Sequence, residues 1–332
     1  MHKVIHMKSI IVILPYFGKF PIYFPLFLKS CSSNDSIDWL IVTDQSADSY
    51  VVPKNCIWVN KSFTQMQQEI KDTLGYKPEI TYDLCKYRAA YHIIFNKYVS
   101  VYDFWGFCDC DLIFGNLRNF ITENVLEKYD KISWRGHLTL IRNSSRLKDI
   151  YLTEIPGYKT FRGCVSNSDG VNLFDEVGLN KIFDYFKLPI YTDLPICDLV
   201  IRKYNFVCNH GLFDDETNKR QIFRWDNGKL FRVYLYNGMI YSQEVVYVHF
   251  LKRPMKYDES DIAISMGSSF LIVPNEFVAD RGLTPQIVAK YSRNKFYWNY
   301  YKKRLKPKFI LDKILSKINP KKLEMDRYEL QK

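Results

Sequence analysis

The run Phe104-Trp105-Gly106-Phe107-Cys108-Asp109-Cys110-Asp111 decides how this chain is read. Its first half is apolar and aromatic, as a buried strand requires, and its second half ends on two carboxylates two positions apart. On extended backbone, side chains at i and i+2 project to the same side, so Asp109 and Asp111 can converge on one hard cation. A bare Asp-x-Asp tripeptide also arises as a chance turn. This copy stands out by its place behind an apolar strand and ahead of a Gly115-Asn116 turn.

Working outward toward the N-terminus, Ser9 to Leu14 reads as a buried parallel strand, delivered by the turn Pro15-Tyr16-Phe17-Gly18 into a helix around Pro21 to Cys31. Trp39 to Thr43 is a second buried strand and stops at Asp44, a carboxylate at a strand's C-terminal end, where ligands sit in open α/β sheets. Ile57 to Val59 makes a short third strand. Ser62 and Gln65 form a capping box for a helix that ends at Gly75, and helical spacing continues from Tyr82 to Tyr98. Beyond the acids come a helix from Asn116 to about Tyr129, strands near Lys131 to Trp134 and His137 to Ile141, and a looser segment from Gly163 to Gly170. A helix follows from Asn172 to Phe186, then strands from Leu230 to Leu235 and from Val245 to Phe250. The pattern predicts an α/β protein with a Rossmann-like nucleotide-binding half and a mixed central sheet.

Composition excludes several classes. Hydrophobic residues make up 47% of the 332 and aromatics 16%, far from a disordered chain. The net charge of +11 is confined to the C-terminal segment: residues 290–322 carry twelve Lys/Arg against one acid, Asp312, leaving the rest balanced. With Phe296, Trp298, Tyr300, Tyr301, Phe309, Ile310, Ile314 and Ile318 interleaved, that segment reads as a basic amphipathic helix for an anionic membrane surface, and not as a nucleic-acid stripe. A solvated basic extension is the plainer alternative. The division expected is one catalytic domain over residues 1–289 and a membrane-associating tail over 290–332. Eight cysteines without a CxxC pair suit thiols in a reducing cytosol, and the apolar run Ile10 to Leu14 is too short to span a bilayer. The expectation is therefore a cytoplasmic protein, peripheral on the inner face of the membrane.

Other residues could serve the same chemistry. His249 ends a β-rich segment and could be a third metal ligand, with Lys252 and Arg253 behind it to hold diphosphate oxygens. A half-buried strand histidine is the bland reading. Asp175 and Glu176 could supply a general base for an acceptor hydroxyl, or simply favour a helix start; Asp169 is a weaker choice. Arg88 and Lys86 could face the diphosphate or lie on a solvated helix face. Trp134, Gly136 and His137 follow the acids closely enough to touch a donor sugar. The cation is needed because a departing nucleoside diphosphate develops negative charge as a glycosidic bond breaks.

Several blocks together resemble bacterial GT-A glycosyltransferases of the capsular polysaccharide and O-antigen (lipopolysaccharide) pathways. They are Met7 through Pro21, Trp39 through Asp44, Tyr102 through Asn116, Gly136 through Asn143, Phe174-Asp175-Glu176 and His249-Phe250-Leu251-Lys252-Arg253, spanning residues 8 to 255. One block departs: where such enzymes tend to read Tyr-Lys-Leu-Cys-Asp-Phe-Lys-Pro, this chain has Tyr82-Asp83-Leu84-Cys85-Lys86-Tyr87-Arg88-Ala89, with acid and base exchanged at 83 and 86. The resemblance implies a GT-A fold, a UDP-sugar donor, and Mn²⁺ or Mg²⁺ held through Asp109, Asp111 and His249. It places the nucleoside at Asp44 and at Pro15, Tyr16 and Phe17, and it makes a lipid-linked glycan the expected acceptor. Two other readings stay open. A nucleotidyltransferase would also use paired acids, although no Gly-rich phosphate loop lies near residue 15, and a non-catalytic glycan- or membrane-binding module would account for the aromatics and the tail.

Overall fold

The computed structural model describes residues 7–305 except 167–173, 210–212, 214–216, 259, 262–263 and 265–266. Its centre is a seven-stranded sheet in the order β3-β2-β1-β4-β7-β6-β8. The strands are β1 (Ile10–Pro15), β2 (Ile37–Thr43), β3 (Cys56–Asn60), β4 (Phe104–Cys108), β6 (Lys131–Ile132), β7 (Leu138–Arg142) and β8 (Ile190–Tyr191). The first four run parallel, β7 is antiparallel to both β4 and β6, and β8 is parallel to β6. This is the mixed α/β architecture expected, with the parallel half where the sequence placed it. Strands buried on both faces must be apolar throughout, which is why β1 is Ile-Ile-Val-Ile-Leu-Pro.

Helix Phe63–Leu74 begins with the predicted capping box, in which Ser62 Oγ accepts from Gln65 N–H and the Gln65 side chain accepts from Ser62 N–H. It ends at Gly75 with φ of 79°, a left-handed cap that glycine adopts without a Cβ penalty.

Two expected helices are broken. The stretch Tyr82 to Tyr98 is a 3-10 segment, Thr81–Ala90, followed by single turns at Tyr91–Ile94 and Asn96–Val99. A three-residue period stacks Leu84, Tyr87 and Ala90 on the core and aligns Cys85 with Arg88 on another face, an arrangement that a 3.6-residue period would smear. Asn116 to Tyr129 is likewise split into Leu117–Asn119 and Glu123–Lys128. The Asn116 side chain accepts from Asn119 N–H and Thr122 from Val125 N–H, so two caps in succession restart the chain.

A second sheet, antiparallel and five-stranded, has the order β12-β11-β10-β14-β15. It is built from β10 (Gln221–Asp226), β11 (Lys229–Tyr236), β12 (Met239–Val245), β14 (Ser269–Val273) and β15 (Glu276–Ala279). Between the two sheets lies a small third one in the order β5-β13-β9, made of β5 (Leu112–Phe114), β13 (Tyr247–His249) and β9 (Cys197–Asp198). The expected single strand Val245 to Phe250 is thus two. Val246 leaves the second sheet, donating to Pro195 O at 3.0 Å and accepting from Gly115 N at 2.8 Å, and the next residues join the third. The compositional boundary at residue 289 falls inside helix Pro285–Tyr291, which packs on the second sheet. The rest of the basic segment, from residue 306 onward and including Phe309, Ile310, Ile314 and Ile318, lies outside the described residues, as does Asp169.

No cysteine pair is bridged, and all eight are free thiols. Among the described residues no helix is long and apolar enough to cross a membrane.

His92 carries a pH-dependent share of stability. Its ring stacks on Trp105 at 4.6 Å and its Nε2 lies 2.6 Å from Lys148 O, so the neutral ring donates there. Burial lowers its pKa from 6.5 to about 4, outweighing that hydrogen bond. The unfolded chain binds this proton more readily between those values, so stability rises with pH across the window and levels off above it. The gain is about 3 kcal/mol. Urea unfolding of wild type and His92→Gln at intervals from pH 4 to 7 is expected to show a shallower slope in the variant; parallel curves would rule this out.

Candidate active site

The three-stranded sheet explains why distant polar residues meet. Leu112 of β5 faces His249 of β13, which on its other side faces Asp198 of β9. Asp111 immediately precedes β5, so it lands beside His249. Cys108 and Cys110 point into the apolar core, and the alternation leaves Asp109 and Asp111 on the opposite side. His249 Nε2 lies 3.4 Å from Asp111 Oδ1 and 3.7 Å from Asp109 Oδ2. Ligand atoms around one octahedral Mg²⁺-like ion sit about 3 Å apart, so this set closes on a cation with small adjustments. Each of the three offers a ligand atom within 4.8 Å of the others. His249 Nδ1 is held by Asp198 Oδ1 at 2.8 Å, the outer carboxylate that orients a ligating imidazole. The two carboxylates suit Mn²⁺ or Mg²⁺, and the imidazole nitrogen favours the less oxygen-exacting Mn²⁺ of the two.

The electrostatics agree. Burial by itself would depress the His249 pKa, but the adjacent Asp111 carboxylate, then Asp198 and Asp109, carry it up to about 10. Burial would raise Asp111, yet His249 and the Lys252 N–H, 2.6 Å from its Oδ2, bring it down to about 2. Carboxylates crowd round one point, where positive charge is strongly favoured. Beside it, His137 is pushed well down by burial and by His249; Tyr247 Oη is 2.8 Å from its Nδ1.

Arg88 ties the acids together. Its Nη2 pairs with Asp109, while Nη1 donates to Asp175 Oδ2 and to Gly136 O, both at 2.9 Å. Burial raises the pKa of Asp175 against the pull of Arg88, and that of Glu176 against the Gly136 N–H, which donates to Glu176 Oε1 at 2.6 Å. A side chain at Gly136 would have to displace the Asp175 and Glu176 carboxylates. A Cβ there would sit 2.7 Å from Asp175 Oδ2 and 3.0 Å from Glu176 Oε1. Gly136→Ala is expected to cost about 1–3 kcal/mol in urea unfolding through overpacking. Wild-type stability in that variant would mean the two carboxylates are free to retreat.

The remaining predicted residues are scattered in role. Pro15 ends β1, and Tyr16 N–H bonds Val42 O at 2.9 Å while its ring stacks on Phe20 at 4.8 Å. Phe17 is buried edge-on to Phe63 at 5.5 Å. Asp44 accepts from Gly18 N–H at 2.9 Å and so fastens this turn. Lys252 reaches the acids through its backbone N–H, while its Nζ lies 4.5 Å from the Tyr82 ring centroid.

Three expectations need correction. Arg253 is not poised for diphosphate: it is 1% exposed, and its guanidinium donates to the carbonyls of Val200, Lys203 and Tyr204 and to Asn275 Oδ1. Those carbonyls fix the loop after β9, which captures the charge. Lys86 is likewise buried and pairs with Asp83 at 2.8 Å, so the exchanged acid and base at 83 and 86 satisfy one another. Asp175, read as a possible helix cap, lies in a π turn, Phe174–Gly178, ahead of helix Leu179–Tyr185 and points to Arg88. Sequence reasoning missed Asp198, which has no local motif, and Tyr247, whose only signal was its place two residues before His249.

The fold and site define an α/β protein with a carboxylate–imidazole centre at the end of the parallel half of its sheet. Residues 12–281 match the family described as "Family of unknown function (DUF6625)", and the chain belongs to that family. No curated protein matches it. Among solved structures it is similar to the galactosyltransferase LgtC in complex with donor and acceptor sugar analogs, at 9% identity and a TM-score of 0.33, over 57% of this chain and 75% of that one. It is also similar to mouse xyloside xylosyltransferase 1 in its apo form, at 9% identity and 0.35, over 58% and 88%. A third is the glycosyltransferase GlyE of Streptococcus pneumoniae TIGR4, at 12% and 0.28, over 57% and 46%.

Proposed function

We propose that this chain is a metal-dependent GT-A glycosyltransferase that moves a sugar, of hexose type, from a nucleotide sugar such as a UDP-sugar to a hydroxyl of a glycan acceptor. The observation that carries the reading is the convergence of Asp109, Asp111 and His249 at the C-terminal end of β4, the edge where an open α/β sheet takes its ligand. These residues would hold Mn²⁺ or Mg²⁺, which when bound offsets the charge growing on the leaving nucleoside diphosphate. Arg88 and the Lys252 N–H fix the carboxylates of Asp109 and Asp111, and Asp198 fixes the His249 ring. Asp44 and the Pro15-Tyr16-Phe17 turn sit at the same sheet edge and suit the nucleoside.

Asp175 is committed to Arg88, whereas Glu176 faces a surface groove. In an inverting transfer Glu176 therefore takes the acceptor's hydroxyl proton, and its burial-raised pKa suits a base. The acceptor is proposed to be a lipid-linked surface polysaccharide. Exposed Phe296, Trp298, Tyr301 and Leu305 beside Lys295 and Lys302 would bring the enzyme to an anionic inner-leaflet surface, which co-sedimentation with anionic vesicles tests.

The decisive experiment is a donor-hydrolysis screen across nucleotide sugars with and without Mn²⁺. Metal-dependent release of the nucleoside diphosphate is expected. Pyrophosphate release from nucleoside triphosphates would favour a nucleotidyltransferase, and no UDP binding by calorimetry with Mn²⁺ present would favour a non-catalytic module.

A further inference from the structure

A groove of about 570 Å³ is lined by Trp134, Thr192 and Glu176, the neighbour of Asp175 in the acid cluster. Half-buried Leu188 and Ile190 give it apolar surface, and exposed Val177, Lys181 and Asp184 line its solvent side. A hydrogen-bonded relay through Gly136 and Arg88 links Glu176 to the acids. Glu176 Oε1 takes the Gly136 N–H at 2.6 Å, and Gly136 O takes Arg88, which pairs with Asp109.

Its walls are built in advance. Buried Lys131 Nζ donates to Asn180 Oδ1 at 2.8 Å, and Asn180 Nδ2 donates to Trp134 O at 2.9 Å, locking the helix Leu179–Tyr185 to the segment carrying the indole. The Arg135 guanidinium lies 3.6 Å from the Trp134 ring centroid and braces it, yet Trp134 keeps 39% of its surface exposed. An indole held in a fixed orientation with part of its surface exposed is a preformed aromatic platform.

We propose that this groove is a saccharide subsite for the acceptor, in which a neutral sugar ring lies against Trp134 with a hydroxyl directed to Glu176. Three features select that chemistry. The electron-rich face of an indole suits the apolar C–H face of a pyranose. The solvent side offers a cation and a carboxylate, Lys181 and Asp184, 3.7 Å apart, able to donate to and accept from hydroxyls. The balanced Lys181–Asp184 pair and the Glu176 carboxylate in the lining disfavour an anionic ligand such as a phosphate. The inference rests on the glycosyltransferase reading for the role of the bound sugar, and on the groove alone for its binding.

Saturation-transfer NMR with a panel of methyl hexosides and free disaccharides tests it, using wild type, Trp134→Ala, Trp134→Phe and Thr192→Tyr. All are checked for wild-type thermal unfolding. Transfer to ring protons is expected with wild type. Trp134→Ala and Thr192→Tyr, which removes the platform or fills the groove from its exposed side, should each weaken binding at least tenfold, about 1.4 kcal/mol. Trp134→Phe should retain most of it. No transfer from any sugar, or equal binding by wild type and both disruptive variants, overturns the subsite. Mn²⁺-dependent UDP binding measured on the same samples separates the two readings. Its absence beside intact sugar binding defeats the transferase and supports the groove, and its presence without sugar binding defeats the groove alone.

Discussion

Asp111→Asn is expected to abolish Mn²⁺-dependent donor turnover, by on the order of 10³-fold, while the protein remains folded. The amide keeps an oxygen to accept the Lys252 N–H, so local geometry survives. What disappears is one of the two anionic oxygens facing His249 Nε2, and with it the charge that makes the site attractive to a divalent ion. Calorimetric titration of Mn²⁺ and a donor-hydrolysis assay measure the two effects, and thermal unfolding supplies the control. Asp198→Asn should be milder, lowering metal affinity about 10–100-fold, because it loosens the ring of His249 without removing a ligand. Turnover by Asp111→Asn at the wild-type rate and with wild-type metal dependence would refute the assignment of this cluster.

Replacing Arg88 is the second large effect, and it falls mainly on stability. Its guanidinium is the shared partner of Asp109, Asp175 and Gly136 O, and its side chain is 11% exposed. Arg88→Met leaves Asp109 and Asp175 without their common counter-charge, in a region where burial already raises the pKa of Asp175. Removing one partner from a buried pair costs about 3–5 kcal/mol. Chemical unfolding at pH 7 should show that loss, and Arg88→Lys should recover little, because an ammonium cannot span three acceptors as the planar fork does. The double variant Arg88→Met/Asp175→Asn should regain part of the stability, since it removes a stranded charge. Simple additivity of the two single changes would show that they are not coupled.

Much of the fold was legible because its causes are local. The unbroken apolar run of β1, the capping box of Ser62 with Gln65 and the glycine cap at Gly75 each depend on residues within a few positions. So does the pairing of Asp109 with Asp111 on one side of an extended chain. Helix continuity was less legible. Apolar residues from Tyr82 to Tyr98 fit a 3.6-residue period well enough to suggest a helix, yet the chain tightens to a 3-10 segment that sets Arg88 toward the acids. Periodicity reports which residues seek the core and says little about which turn type delivers them.

Arg253 and Asp198 mark the limit most clearly. A basic residue after His249 reads as a phosphate ligand, but its environment is decided by the loop that follows β9, some fifty positions away in sequence. Asp198 carries no motif and acquires meaning only when β9 is laid beside β13. From the amino acids by themselves came the α/β layout, the acid pair at a strand end and the candidate histidine, since strand periodicity, caps and same-side carboxylates follow from near neighbours. Tertiary structure alone decided that His249 and Asp198 close on Asp111, that Arg88 binds Asp109 to Asp175, and that Trp134 stands over a groove. Those meetings depend on strand register and on charges finding partners far along the chain, where no local rule reaches.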